Sequence, residues 1–341
     1  MTELTQYIRD VQDRKEAAHI IYKSHDRWPL PVTQGTECTQ EGDSKRDLRI
    51  SVLDSSFNPP TLAHLALARS KPPDSTSPSE RARHIDYDAR LLLLSVRNAD
   101  KGPPKPGEPT YKQRLEMMTL LAKELEDAPV EHESSPTRRS VAVAIVDEPT
   151  FVRKSAVLRQ YLRDLVTNLD GPRSDGSESE VKDPKRKEIK LSFIMGFDTL
   201  ERFLAPHYYN NSLIDMHDAL RKFFASPPDG DGSEVVCAWR GQKQINRLHP
   251  GQPLQVEKQV TEDQGRLRET LSIAQPFISA GSVSFLPLTD YEMSLSSTEV
   301  RGKRMEGIQE WRTMIPSRVG DYIENQGLYK LTLGNPRHRN I

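Results

Sequence analysis

Cysteine is scarce: the 341 residues hold two, Cys38 and Cys237. Cys38 lies in a polar stretch and Cys237 inside the apolar run 235–239, so no structural disulfide is expected, and two such thiols cannot build a zinc cluster. A reducing compartment is expected, the cytoplasm with the nucleus also open. Long apolar runs are missing too. No stretch approaches the ~20 apolar residues that span a bilayer, and residues 1–23 are charged throughout, without the apolar centre of a secretory signal. A soluble, intracellular protein without membrane contact is the expectation. Nor does one sign of charge dominate. With 28% charged residues and a net charge of −1, no global field recruits nucleic acid or membrane. Any anionic ligand must be held by a local site.

What is present reads as α/β. Residues 4–22 carry Leu4, Ile8, Val11, Ala18 and Ile21 at roughly helical spacing, which predicts an amphipathic helix. Residues 28–46, rich in Pro, Gly, Thr and Asp, predict a linker. From residue 49, short continuous apolar runs at 49–53, 91–96, 141–146, 191–195, 235–239 and 283–286 predict strands covered on both faces. Helical patterns lie between them at 62–70, 111–126, 152–167 and 213–225. The alternation predicts a Rossmann-like, doubly wound, mostly parallel sheet, with ligands at the carboxyl ends of its strands. Hydrophilic insertions at 71–83, 101–109, 129–139, 170–187, 227–232 and 241–265 predict surface loops. The expected division is 1–47 as helix and linker, 48–332 as the main domain and 333–341 as a polar tail.

Two junctions carry candidate chemistry. The first strand ends in Asp54-Ser55-Ser56-Phe57-Asn58-Pro59-Pro60-Thr61, and a helix opens near Leu62. The prolines stop the strand, Thr61 can cap the helix, and the unpaired N–H groups of that helix end suit a phosphate. His64, one turn on, can face the same pocket as Thr61. The second junction follows strand 283–286, where Ser296, Ser297 and Thr298 open a helical pattern that presents Arg301 one turn later. Hydroxyl caps, free amides and a guanidinium make another anion site. Alone, each reads as well as an ordinary capped helix. Together they are far more specific.

At this point the chain resembles the nicotinamide/nicotinate mononucleotide adenylyltransferase family, whose GSFNPxT/H–x–x–H and ISSTxxR motifs appear here as Ser55–His64 and Leu295–Arg301. Further matches are Phe193–Leu200, with Gly196 and Asp198; Val235–Gly241, with Arg240; and Ile315-Pro316, Val319, Tyr322-Ile323 and Leu328-Tyr329. The resemblance spans residues 49 to about 330 and is nearest to a divergent fungal-type branch. It departs at Ser55, where the family usually has Gly, and lacks a clear counterpart of the Trp that stacks on the pyridine ring, for which Phe151 is the candidate replacement.

The resemblance implies adenylyl transfer from ATP to nicotinamide mononucleotide, giving NAD and pyrophosphate. It casts His64, Thr61 and Arg301 as catalytic. ATP would be bound by Ser55, Ser56, Phe57, Asn58, His64, Gly196, Asp198, Ser296, Ser297, Thr298 and Arg301. The acceptor would meet Asn98, Lys101, Arg114, Phe151 and Arg240, with Lys105 nearby. Mg²⁺ is expected to arrive with ATP, held through water and phosphate oxygens rather than by a carboxylate cage. Two other readings keep the motifs: transfer to another phosphorylated acceptor or ATP hydrolysis, and a nucleotide-binding regulatory protein.

Overall fold

The apolar runs do become strands. The computed structural model describes residues 3–31, 47–73, 86–97, 103–104, 107–127, 139–170, 188–239 and 262–330. Within them lie β1 (Ala18–Lys23), β2 (Leu48–Asp54), β3 (Ala89–Ser95), β4 (Val141–Val146), β5 (Ile189–Gly196), β6 (Glu234–Trp239) and β7 (Val283–Pro287). They form one sheet in the order β1-β4-β3-β2-β5-β6-β7. All neighbours pair in parallel except β1, which runs antiparallel to β4 at the edge.

The helices are α1 (Glu3–Gln12), α2 (Leu62–Arg69), α3 (Tyr111–Glu126), α4 (Phe151–Asp170), α5 (Phe197–Phe203), α6 (Leu213–Phe224), α7 (Glu262–Ser279), α8 (Asp290–Ser294), α9 (Ser297–Met305) and α10 (Ser317–Asn325). None among the described residues is long and apolar enough to cross a membrane.

Strand periodicity explains the layers, because alternate residues face opposite sides. Ile50 and Val52 of β2 join Leu91 and Leu93 of β3 in one core with Leu158 and Leu162 of α4 and Met216, Leu220 and Phe223 of α6. Their neighbours Leu53, Leu92 and Leu94 face the other way, against Leu65 of α2 and Leu115, Met118 and Leu121 of α3. Burying each such side chain contributes about 1.5–3 kcal/mol before entropy is counted, so a one-residue slip in any central strand would be ruinous. A third cluster gathers Met117, Val300, Trp311, Met314, Val319, Ile323 and Tyr329, and fastens α9 and α10 to α3.

Three expectations are corrected. The helix expected over 4–22 stops at Gln12, and residues 18–23 are β1. The charged turn Asp13–Glu16 breaks the helix, with Arg14 at φ 57°, while β-branched Ile20 and Ile21 suit the exposed edge of β4. The linker expected over 28–46 begins in the core: Trp28 is fully buried and Leu30 nearly so. β1 and Trp28 thereby tie the N-terminal segment to the sheet and its core. The insertion expected to reach residue 265 instead yields to α7, an 18-residue helix.

Candidate active site

β2 stands where the strand order reverses. The chain winds outward through β3 and β4 on one side, then returns to β5, β6 and β7 on the other. The crevice at the carboxyl ends of β2 and β5 is where an open α/β sheet binds ligands, and Ser55 and Gly196 sit at its lips.

The loop after β2 is fixed from within. Phe57 adopts φ 44°, an outlying conformation for a bulky residue that costs on the order of 1–3 kcal/mol. Full burial of its ring offsets that cost, and the ring lies 5.2 Å from that of His64. Asn58 and Thr61 are also buried. Thr61 caps α2, and its backbone N–H donates to His64 Nδ1 at 3.0 Å. A backbone amide can only donate, so Nδ1 bears no proton and the neutral ring carries its hydrogen on Nε2. Nε2 lies 2.9 Å from Ser55 Oγ, while Thr61 Oγ1 also approaches Nδ1 at 2.9 Å. Burial lowers the His64 pKa to about 4. The result is a neutral donor held toward the mouth of the crevice, its partner a hydroxyl that an incoming oxyanion could displace.

The two motifs meet. Ser296 caps α9 by accepting from the Glu299 backbone N–H at 3.0 Å. Ser297 Oγ donates to the Pro59 carbonyl at 2.7 Å. Arg301 Nη1 donates to the Asn58 carbonyl at 2.6 Å, and its Nη2 to Thr298 Oγ1 at 3.1 Å. Residues some 240 positions apart are thereby bonded into one wall, and the α2 and α9 N-termini bring their free amides to it.

Arg114 of α3 enters from the same side. It is buried, donates from Nε to the Pro109 carbonyl at 3.1 Å and pairs with Glu108 at 3.4 Å. Burial lowers its pKa, and Arg301 pushes in the same direction. Tyr329, Glu108 and Tyr111 oppose that lowering more strongly than Arg301 adds to it. Gly196 has an ordinary φ of −78°, and a Cβ there would meet nothing within 4 Å. The fold therefore leaves open space at that position. Asp198, in the first turn of α5, is exposed. Ser55 and Ser56 are half-buried. Phe151 opens α4, half-buried and edge-on to Phe193 and Phe203 at 5.8 Å each. Asn98, Lys101, Lys105 and Arg240 lie outside the described residues.

Sequence reasoning missed two contributors. The Tyr329 hydroxyl donates to Asn58 Oδ1 at 2.7 Å in a buried setting, which fixes the amide of the first motif from the far end of the chain. Lys154 forms a buried ion pair with Asp54. Neither partner lies near the other in sequence, so no local pattern could pair them.

A switch-point loop with a buried neutral histidine, bonded to a Ser/Thr-capped helix bearing arginine, defines an α/β enzyme of the nucleotidyltransferase type. No family model matches the chain. It is 28% identical over 284 residues, 82% of its length and 85% of the relative's, to a Schizosaccharomyces pombe protein named "Putative nicotinamide mononucleotide adenylyltransferase". A segment of 50 residues, 15% of this chain and 24% of the relative, is 40% identical to a Gloeobacter violaceus protein named "Probable nicotinate-nucleotide adenylyltransferase". Among solved structures, the Plasmodium falciparum nicotinic acid mononucleotide adenylyltransferase complexed with APC aligns over 82% of this chain and 96% of its own, with 12% identity and a TM-score of 0.40. At this low identity the chain is similar to proteins named as nicotinamide and nicotinate mononucleotide adenylyltransferases.

Proposed function

We propose that the protein transfers the adenylyl group of ATP to nicotinamide mononucleotide, releasing pyrophosphate and forming NAD, in the cytoplasm. The observation that carries this reading is the joining of Arg301 and Ser297 to the Asn58 and Pro59 carbonyls, which makes one anion-binding wall from two distant motifs.

The acceptor phosphate is largely dianionic at neutral pH, since a phosphate monoester has its second pKa near about 6. It can attack the α-phosphorus of ATP in line without a general base. The bond from the α-phosphorus to the bridging oxygen breaks as the new one forms, and pyrophosphate carries off the electron pair. What remains for the protein is positioning and charge stabilisation. His64 Nε2–H donates to the α-phosphate as charge builds, with Thr61 holding the ring through Nδ1. Ser56 and Phe57 amides cradle the phosphates, and Ser296, Ser297, Thr298 and Arg301 take the departing β- and γ-phosphates. Gly196 and Asp198 border the nucleoside, Asp198 within reach of ribose hydroxyls. Arg114 takes the acceptor phosphate, with Asn98, Lys101 and Arg240 as further contacts, and Phe151 supports the pyridine ring. Mg²⁺ enters as the ATP complex, its ligands phosphate oxygens and water.

The test is to incubate the protein with Mg-ATP plus nicotinamide mononucleotide, nicotinate mononucleotide or neither, and to quantify dinucleotide, pyrophosphate and ADP. NAD formation, reduced at least about a hundredfold in His64→Ala as for loss of one oxyanion donor, is expected. ADP without dinucleotide makes the protein a hydrolase. Binding without turnover makes it a nucleotide-responsive regulator.

A further inference from the structure

Asp54 is the last residue of β2, one backbone step before Ser55, whose hydroxyl meets His64. Alternation along the strand puts its side chain on the face of Ile50 and Val52, opposite α2. Lys154, in the first turn of α4, meets it there. Ammonium and carboxylate are in direct contact, with side chains only 5% and 8% exposed, and the Lys154 nitrogen lies 5.0 Å from the centre of the Phe151 ring.

A buried ion pair returns little net stability, and two apolar residues of similar volume often serve as well. Its position is more telling than its energy. A carboxylate buried one residue from a loop that receives a polyanion would repel that ligand, and burial screens the repulsion poorly. Lys154 cancels that charge where it arises. It also tethers the start of α4 to the end of β2, and so seats Phe151 beside the crevice.

We propose that Lys154 is a positioning residue for ATP: it neutralises Asp54 and sets the electrostatic potential beneath the phosphates. This rests on the adenylyl-transfer reading. Removing the two partners should therefore act in opposite directions on ATP while destabilising the fold in the same direction. A tether alone would weaken ATP binding in both.

The experiment is calorimetric titration of the full chain with Mg-ATP, alongside thermal melting, for wild type, Lys154→Met, Asp54→Asn and the double variant. We expect Lys154→Met to weaken ATP at least about tenfold, the Coulomb effect of one uncancelled charge several ångströms away. Asp54→Asn should bind ATP at least as tightly as wild type, and the double variant within about threefold of it. Should Lys154→Met fail to fold, Asp54→Asn and the double variant decide. Weakening by Asp54→Asn, or a double variant tenfold weaker than wild type, overturns the inference. Absence of ATP binding by the wild type overturns this inference and the adenylyl-transfer reading together. ATP binding with shifts of one sign overturns the charge-balance inference alone.

Discussion

Acidification should weaken the fold through one imidazole. Burial disfavours the His64 cation and lowers its pKa from 6.5 to about 4 in the folded chain. The unfolded chain therefore takes up the proton first as pH falls. The stabilisation from neutral His64 is complete above pH 6.5, shrinks between 6.5 and 4, and is gone below. The full shift of about 2.5 units corresponds to about 3 kcal/mol, and at pH 5 the loss from this group amounts to about 2 kcal/mol. The assay is urea unfolding at pH 7.5 and pH 5.0 for wild type and His64→Asn, both read by tryptophan fluorescence. Other titrating groups act on both proteins, so the difference between them isolates His64. Wild type should lose about 2 kcal/mol more than the variant over that interval, about 15% or more of a typical domain's stability. Equal losses would refute the reasoning. So would an NMR spectrum showing the proton on Nδ1, because the Thr61 amide would then face a donor.

Two other predictions test the parts that local patterns could not reveal. Tyr329→Phe keeps the buried ring but leaves Asn58 Oδ1 without its donor, and should cost about 1–3 kcal/mol in urea unfolding with little change in m-value. Trp28→Ala empties a fully buried site in the main core. It should cost about 3–5 kcal/mol and lower the melting temperature of the whole domain, whereas a linker residue would cost almost nothing.

The central strands were legible because β3 and β4 carry continuous apolar runs and β5 is mostly apolar, and such runs have few other destinations in a chain of this length. β1 was not. Its six residues follow a helix after a short charged turn, and the apolar spacing of α1 runs on across that turn without a visible break. α7 was hidden by its own composition, with Gly265 and Pro276 inside the helix, both poor helix formers that only tertiary packing overrides. The two capped-helix motifs could be read because each is local, a cap and a side chain one turn away. What pairs them could not. The bonds from Arg301 to Asn58 and from Tyr329 to Asn58 span 243 and 271 residues, and the Asp54–Lys154 pair spans 100. Such partners are set by strand order, which hydropathy does not encode.

The Asn58 loop held by Arg301 and Tyr329 also has a meaning in time. During synthesis, residues 48–239 can assemble most of the sheet, with the β2 loop already in place. The wall formed by Asn58, Pro59, Ser297, Arg301 and Tyr329 stays unfinished until residue 329 has been made. A nascent or truncated chain that stops short of residue 301 therefore carries the histidine and its loop but lacks the bonds from Arg301 and Tyr329 that hold Asn58.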